Sequence, residues 1–395
     1  MKNKPEILMI CPWLDHNSSS KGMVFREQAR VLNESYAFTF ISFQKIGLKN
    51  FFGLFKLTSL KEHYDADLKE QYLYIHYLNS SYLGDFWNNW IEKRAVQIAK
   101  NYFAENNLKF DLIHAQCLMD SGVFAFYLKQ KLKIPYIITE HAQINMTGVS
   151  VRRHKFLQSI LNFAHRRLLV SHHKMAQYAS NRLYGDFEVI GNMVDESLFH
   201  LKENKKRKAA IFKIITVGAY SPIKDQGTLL KSLRLLDGIQ TSKRIEFHWA
   251  GYNGWVSGKD DEVQDQLSKL QLNNIQIKLS GTLDRQQMAN AYKDSDLFVF
   301  SSLAEGMPLA VLEALACGLP VITTRWGGAD EIIDHQNGRI VELRDYDDMS
   351  KQIRQVLENP DMFDEKTISS NALQKFGAKT FQMKINQIYN TVLNG

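Results

Sequence analysis

The stretch EGMPLAVLEALACGLPVI, residues 305–322, has the pattern of a loop, a helix, a tight stop and a strand in quick succession. Pro308 suits the first turn of a helix, where its missing N–H costs nothing. The following LAVLEALA is rich in strong helix formers. Gly318 then supplies a C-terminal stop, and Pro320 prevents continuation. The pattern predicts a helix over about 308–317, followed at once by a buried strand.

The same alternation of strand and helix extends in both directions from this stretch. Short apolar runs rich in β-formers are typical of parallel strands buried on both faces. In the first half they are EILMI, AFTFISF, YLYIHYL, DLIHAQ, YIITEH, RLLVS and FEVIG, and in the second half KIITVG, RIEFHWAG, IQIKLSG, DLFVFSS, PVITT and GRIVEL. Helical patterns fall between them, which predicts an α/β protein with doubly wound sheets.

A polar, strongly charged segment near 196–210 separates the two halves and is interpreted as a linker. We therefore expect two Rossmann-like domains that face each other across a cleft: an acceptor-binding domain over 1–200 and a donor-binding domain over 201–379. A C-terminal helix, about 380–395, is expected to pack back on the first domain. The segment 45–71 is interpreted as an insertion in the first domain.

Composition and charge restrict the class of protein. The chain has 395 residues, of which 45% are hydrophobic and 23% charged, as in a soluble globular protein. Apolar runs fall well short of the ~18 residues needed to span a bilayer, so we expect a cytoplasmic protein. Cys11, Cys117 and Cys317 are widely spaced in apolar settings, which favours small buried side chains over a disulfide framework or a zinc site.

The net charge of +7 is unevenly distributed. The basic surplus concentrates in 151–174, where Lys and Arg alternate with an apolar stripe at helical spacing. Such a segment binds an anionic membrane surface at the inner face of the cell membrane or is a solvated helix packed on its own domain. Nucleic acid is not an expected partner, because no nucleic-acid-binding motif or basic-aromatic array is present.

The two glutamates of the opening stretch predict a ligand with hydroxyl groups at both ends. The amino end of the helix favours an anion such as a diphosphate, and Gly306 permits close approach of the backbone. Carboxylates accept paired hydrogen bonds from vicinal hydroxyls. Glu305 is therefore placed at a sugar ring and Glu313 at a ribose, as a nucleotide sugar would require.

The stretch closely resembles the signature of the family 4 retaining glycosyltransferases of the GT-B class, also called glycosyl transferases group 1. In that family two glutamates separated by seven residues bind the donor. The resemblance extends to VGAYSPIKDQGTLLKSL, WAGYNG, SGTLDRQQMANAYKDSDLFVFSSLAEG and GGADEIIDHQNGRIVE in the second half, and to SSSKGMVFREQARVL, ITEHA and VIGNMVDESLF in the first.

This resemblance implies a retaining transfer of a hexose-type sugar from a nucleotide-diphosphate sugar to a hydroxyl of a glycan or lipid-linked acceptor, in bacterial surface polysaccharide biosynthesis. It assigns His141, Glu305 and Lys224 as catalytic residues. Donor binding falls to Gly22, Gly218, Lys224, Glu305, Gly306, Met307, Pro308, Leu309 and Glu313. The family often has an arginine where this chain has Ala219, so either Lys224 carries more of the diphosphate charge or another basic group, such as Arg325, substitutes.

No metal or other cofactor is expected, since the resemblance implies metal-independent transfer. Two Asp-x-Asp pairs occur, Asp65/Asp67 and Asp294/Asp296, and we interpret both as structural, the second as a helix cap. Two alternatives remain open. One is a catalytically inactive GT-B protein that binds a nucleotide sugar. The other, an NAD-linked Rossmann enzyme, requires a G-x-G-x-x-G run after the first strand that ILMICPWLDHNSSSKG lacks.

Overall fold

The computed structural model describes residues 4–18, 21–47, 58–65, 70–79, 84–202, 210–239, 243–253 and 260–395. The chain divides into two compact units. The first comprises Met1–Gly191 and Gln382–Gly395, and the second comprises Asn192–Phe381.

An eight-stranded sheet forms the first unit, in the order β3-β4-β2-β1-β5-β6-β7-β8. Its strands are β1 Glu6–Ile10, β2 Ala37–Ile46, β3 Thr58–Asp65, β4 Glu70–Leu78, β5 Leu112–Gln116, β6 Tyr136–Glu140, β7 Arg166–Leu169 and β8 Phe187–Val189. Its helices are α1 Met23–Leu32, α2 Gly84–Glu105, α3 Val123–Leu132, α4 Val151–Phe163 and α5 His172–Ser180, with a π-helical turn at Leu118–Gly122.

The second unit has a six-stranded sheet in the order β11-β10-β9-β12-β13-β14. The strands are β9 Ile211–Val217, β10 Arg244–Ala250, β11 Ile275–Ser280, β12 Leu297–Phe300, β13 Val321–Thr324 and β14 Gly338–Val341. The helices are α6 Gln226–Asp237, α7 Asp260–Ser268, α8 Arg285–Lys293, α9 Leu309–Ala316, α10 Tyr346–Glu358, α11 Glu365–Phe376 and α12 Ala378–Asn394, with a 3-10 turn at Ala329–Glu331.

The α/β fold class is confirmed, and each of the thirteen predicted apolar runs forms a strand. Strands β1, β5 and β6 are buried along nearly their whole length, as expected of central parallel strands with helices on both faces. The pairing of β3 with β4 is antiparallel, whereas the other pairs are parallel.

Sequence reasoning missed β3, which lies inside the predicted insertion 45–71. Its sequence TSLKEHYD is polar because the strand is at the sheet edge, where several side chains are exposed. Residues 48–57 and 66–69 of the predicted insertion lie outside the described residues. The predicted linker 196–210 belongs to the second unit, and residues 203–209 of it likewise lie outside the described residues.

Helix α9 begins one residue later than predicted. Pro308 has extended backbone (φ −71°, ψ 119°) and precedes the first helical residue, so it lies at the N-cap and not in the first turn. Position 318, where the helix ends, requires glycine for a steric reason. Its φ is +80°, and a Cβ atom there would lie 2.7 Å from Leu201 Cδ1 and 2.9 Å from the Glu365 carbonyl oxygen.

The C-terminal helix α12 contributes its residues from Gln382 onward to the first unit. Tyr389 of this helix is fully buried there, and its hydroxyl lies 2.7 Å from His114 Nδ1 on β5. Its ring also meets Tyr36 edge-on, with 5.0 Å between centroids. Residues separated by most of the chain therefore share one core.

Among the described helices, none combines the length and the apolar character needed to cross a bilayer. The three cysteines are buried and unbridged, as their apolar settings predict.

Candidate active site

The first part of the candidate site is the turn after β9 in the second unit. Gly218 has a φ of +137°, which L side chains rarely adopt, and a Cβ atom there would lie 3.6 Å from Lys224 Cε. Its N–H donates to the Ala250 carbonyl at 3.0 Å, and its carbonyl accepts from Trp249 Nε1 at 2.9 Å. The turn is thus held rigidly and returns Lys224 toward the end of β9.

The structure brings Lys224 and Glu305 together. Lys224 Nζ lies 2.7 Å from Glu305 Oε1, and Ser302 Oγ donates to the same oxygen at 2.8 Å. The ammonium also lies over the Phe300 ring, 4.9 Å from its centroid. Both charged side chains remain partly exposed. Since both bonds use Oε1, the second carboxylate oxygen of Glu305 takes part in neither.

The loop between Glu305 and helix α9 is fixed by Asn192, which sequence reasoning did not identify. Asn192 Nδ2 donates to the Met307 carbonyl at 2.7 Å. Met307 and Pro308 are buried, whereas Gly306 and Leu309 are partly exposed. The N–H of Leu309 lies in the first turn of α9, ahead of the intrahelical hydrogen bonds, where an anion is favoured.

Glu313, in the middle of α9, is 4% exposed. Its Oε1 lies 2.5 Å from Arg285 Nη1, at the start of α8. The guanidinium stacks over the Phe199 ring, 4.4 Å from its centroid. Burial raises the pKa of Glu313 above its ordinary value, although Arg285 acts in the opposite direction. The carboxylate is therefore pre-oriented by a partner that the sequence pattern did not single out.

The contacts that the structure shows for Arg325 are with two carboxylates and not with the turn that carries Lys224. Its guanidinium binds Asp330 through both carboxylate oxygens, at 2.6 and 2.8 Å, and Glu342 at 2.8 Å. The Ala219 carbonyl accepts a hydrogen bond from Gln226 at 2.8 Å. The arrangement favours Lys224 over Arg325 as the basic group beside the turn.

In the first unit, the loop between β1 and α1 presents Gly22. Its φ is +74°, and a Cβ atom there would lie 2.8 Å from Leu14 Cδ1 and 3.1 Å from Leu14 Cα. Phe25, in the first turn of α1, contacts the His141 ring edge-on, with 5.5 Å between centroids. The structure therefore brings the predicted glycine loop and the predicted histidine into the same part of this unit.

His141 follows β6 directly, and its Nε2 lies 2.8 Å from Gln116 Oε1 at the end of β5. The preceding residue, Glu140, is 1% exposed and holds the surrounding backbone through hydrogen bonds. Its carboxylate accepts from the N–H groups of Leu118 (3.0 Å) and Ala142 (2.8 Å) and from the Tyr178 hydroxyl (2.8 Å). The sequence signal for this role of Glu140 was a glutamate at the end of an apolar strand, which sequence reasoning did not use.

The second Asp-x-Asp pair, Asp294 and Asp296, is engaged by Lys213. Asp294 forms an ion pair with Lys213 at 2.5 Å, and Asp296 accepts the Lys213 backbone N–H at 2.9 Å. Asp294 is also the C-cap of α8, in line with a capping role. Asp67 lies outside the described residues. Within the part of the chain that the structure describes, His, Cys, Asp and Glu form no group of three that could hold a metal ion.

Both halves of the chain match models of known glycosyltransferase families. Residues 199–375 match the model "Glycosyl transferases group 1", and residues 58–198 match the model "Glycosyltransferase Family 4". An uncharacterized glycosyltransferase of Methanocaldococcus jannaschii is 25% identical over 306 residues, which span 75% of this chain and 79% of that protein.

Two further proteins extend the comparison. The UDP-Gal:alpha-D-GlcNAc-diphosphoundecaprenol alpha-1,3-galactosyltransferase of Escherichia coli is 26% identical over 261 residues, or 60% of this chain and 64% of that one. The solved structure of Anabaena HepE in complex with UDP and glucose covers 98% of this chain and 100% of its own, at 18% identity and a TM-score of 0.71. With two doubly wound parallel sheets, the GT-B architecture and matches along both halves, this chain belongs to the family 4, group 1 glycosyltransferases.

Proposed function

We propose that this glycosyltransferase is a retaining enzyme that moves a hexose-type sugar from a nucleotide-diphosphate sugar to a hydroxyl of a glycan or lipid-linked acceptor. The proposed setting is bacterial surface polysaccharide biosynthesis. The E. coli relative is named for a galactose donor and a diphosphoundecaprenol-linked acceptor, and the HepE structure holds UDP and glucose. Those names support the same classes of donor and acceptor here.

One observation carries the proposal: the Lys224–Glu305 pair lies at the point where the order of the second sheet reverses. Strand β9 is followed in sequence by β10 on one side, while β12 pairs with its other side. Lys224 lies in the turn after β9, and Glu305 in the loop after β12. In open α/β sheets, ligands bind beyond the carboxyl ends of the strands at such a switch point.

The residues at this point suit the chemistry of a nucleotide-diphosphate leaving group. Cleavage of the sugar–phosphate bond leaves negative charge on the diphosphate, and its stabilisation is the main requirement. Lys224 and the amino end of α9 supply positive charge there without a metal ion, which is our proposal for this enzyme. Glu305 binds a sugar hydroxyl through Oε2, and Glu313 binds the ribose.

In the first unit, Gly22 presents backbone N–H groups to the phosphates, and His141 hydrogen bonds to the donor sugar and orients the acceptor. We propose front-face attack: the acceptor hydroxyl oxygen bonds to the anomeric carbon, the bond to the diphosphate breaks on the same face, and the leaving phosphate takes the hydroxyl proton. The configuration at the anomeric carbon is thereby retained.

A thermal-shift panel of UDP-, GDP- and ADP-sugars tests donor binding. We expect one nucleotide series to raise the melting temperature. Glu313→Ala should abolish this nucleotide-dependent shift, whereas Glu305→Ala should keep it and lose discrimination between sugars. Glu358→Ala, which changes an exposed carboxylate on α10 of the same unit, is the matched control and should behave as the wild type.

Donor hydrolysis without an acceptor then separates the enzyme from an inactive binding protein. Slow release of nucleoside diphosphate by the wild type supports the proposal. A nucleotide-dependent shift with no release and no transfer would favour the inactive nucleotide-sugar-binding protein instead. Normal turnover by both glutamate variants would contradict the roles assigned to these residues.

We propose a cytoplasmic enzyme that associates peripherally with the inner face of the cell membrane. Two exposed basic residues of 151–174 support this proposal, whereas two others are engaged within the unit. Arg153 is paired with the buried Glu92, and Arg167 donates to the Leu161 and Asn162 carbonyls. Arg152 and Lys155, in contrast, are exposed on α4.

A further inference from the structure

Helix α2 begins with an exposed aromatic cluster formed by Phe86, Trp87 and Trp90. Their exposed fractions are 65%, 54% and 42%. The rings contact one another edge-on, with centroid separations of 5.7 Å for Phe86–Trp87 and 6.1 Å for Trp87–Trp90. Three large aromatic side chains at one helix end, packed on one another and still open to water, mark an interaction surface.

Exposed basic residues follow this aromatic cluster on α2 and begin the neighbouring helix α4. Lys93 and Arg94 follow in the next turn of α2, and the Arg94 guanidinium lies 5.7 Å from the Trp90 ring centroid. Arg152 and Lys155 add two more exposed positive charges on α4. Lys93, Arg94, Arg152 and Lys155 together form the basic rim.

The nearby carboxylates are engaged by neighbouring groups. Arg153 binds both oxygens of Glu92, at 2.9 and 3.0 Å, and Ser150 donates to Asp85. With five cationic side chains against two carboxylates, the first three turns of α2 and the adjoining start of α4 present a net positive charge. Such a surface is complementary to an anionic partner.

A cavity of about 270 Å³ lies beside the basic rim, which lines it through Lys93 and Arg152. Its walls also include Arg153, the rings of Tyr127 and Phe156, and one carboxylate, Asp85, which accepts a hydrogen bond from Ser150. A phosphate group fits this lining, because two or more cations converge on it and aromatic rings flank it. At about 270 Å³ the cavity lies just below the range of pockets that hold a whole drug-sized ligand, and this size suits a lipid headgroup.

We propose that the aromatic cluster and the basic rim form the surface by which the first unit docks on an anionic phospholipid bilayer. Tryptophan side chains are favoured at the headgroup level of a membrane, where one part of the ring is apolar and the N–H stays wet. Adjacent Lys and Arg side chains are attracted to anionic lipids. The inference rests on the proposed function in one respect: a lipid-linked acceptor would be presented at that surface.

Flotation with vesicles tests the surface directly. The full chain should float with vesicles of 30% phosphatidylglycerol in phosphatidylcholine at ~0.1 M salt and not with phosphatidylcholine alone. A triple variant, Phe86→Ser, Trp87→Ser and Trp90→Ser, should bind about tenfold more weakly, because its apolar insertion is lost. The double variant Lys93→Ser and Arg94→Ser should bind about thirtyfold more weakly, because two charges near the anionic surface are lost.

Matched controls use exposed residues of the same unit that lie outside the surface. Tyr184→Ser removes a 60% exposed aromatic side chain, and Lys109→Ser with Lys131→Ser removes two exposed charges. Both control proteins should float like the wild type. Equal flotation of the wild type and the aromatic variant would overturn the proposal, and so would a wild type that stays with the unbound fraction.

A dimer formed through the same surface is the remaining outcome that overturns the proposal. Light scattering would then show a wild-type dimer and a monomeric aromatic variant, with no binding to vesicles by either. The nucleotide-dependent thermal shift is measured without lipid in each variant. Loss of flotation with an intact shift separates the surface from the donor site, whereas a wild type that floats but shows no shift with any nucleotide contradicts the proposed function alone.

Discussion

In the second unit both glutamates of the candidate site form ion pairs, whereas in the first unit the buried glutamate beside His141 is held by uncharged groups. Lys224 binds Glu305, and Arg285 binds Glu313. In contrast, the Glu140 carboxylate beside His141 is held by two backbone N–H groups and a tyrosine hydroxyl. The difference suits a second unit that handles a charged diphosphate and a first unit that orients uncharged hydroxyls.

The comparison also concerns exposure. The Lys224–Glu305 pair is partly open to solvent, which suits its proposed role in ligand binding. Glu140 and His114 of the first unit are almost fully buried and act as scaffold. Substitutions at the partly exposed pair and at the buried groups should therefore separate effects on turnover from effects on folding.

The largest expected effect is on turnover. Lys224→Ala removes the cation beside the turn after β9, so kcat for transfer should fall by about a thousandfold, as for loss of a group that stabilises the leaving charge. The melting temperature without ligand should change little, because the pair is partly exposed. Lys231→Ala, which removes an exposed lysine on α6 of the same unit, is the control. Wild-type kcat in Lys224→Ala would refute the charge-stabilising role.

The next largest effect is on the stability of the second unit. Arg285→Ala leaves Glu313 buried without its cation, so the free energy of unfolding in urea should fall by about 3 kcal/mol. Arg354→Ala, which breaks an exposed pair with Glu358 on α10, should cost less than ~0.5 kcal/mol. The double variant Arg285→Met, Glu313→Leu should recover most of the stability without recovering nucleotide binding. A loss in Arg285→Ala as small as in Arg354→Ala would show that the buried pair is not structural.

The smallest effect concerns pH and the first unit. Burial lowers the pKa of His114 from its ordinary 6.5 to about 3. The folded protein therefore leaves His114 neutral where the unfolded chain binds a proton, and stability falls as pH decreases from 6.5 toward 3. The slope for one such group is about 1.4 kcal/mol per pH unit. His248, whose pKa burial lowers to about 4, adds a similar slope in the second unit.

Urea unfolding at pH 7, 6 and 5 measures this dependence. The variant His114→Asn should be less stable at pH 7 but should lose less stability on acidification than the wild type. His335→Asn, at an exposed position, should leave the slope unchanged. Parallel slopes for the wild type and His114→Asn would show that the protonation of this histidine is not linked to folding.

Most of the fold could be predicted from sequence because buried parallel strands are apolar on both faces. The strand β3 could not, since its edge position leaves the alternation of TSLKEHYD polar and irregular. The prediction also placed Pro308 one position too far into α9. Boundaries of this kind depend on a single backbone angle, which composition does not specify.

In the candidate site, too, residues close to one another in sequence could be predicted, whereas their partners from distant parts of the chain could not. Glu305, Gly306 and Glu313 are close in sequence, so a short stretch was enough to propose them. Their partners come from elsewhere: Arg285 lies 28 residues from Glu313, and Asn192 lies 115 residues from Met307. Only the folded chain reveals that a buried cation orients one glutamate and that an asparagine fixes the loop beside the other.

The burial of Tyr389 within the first unit has a consequence for synthesis on the ribosome. Domains usually fold as units in the order in which they leave the ribosome. Here the amino-terminal unit lacks part of its core until the whole second unit and then Tyr389 have been translated. The unit that begins first is therefore completed last, and a nascent chain that stops before Tyr389 would carry a finished second unit beside an unfinished first one.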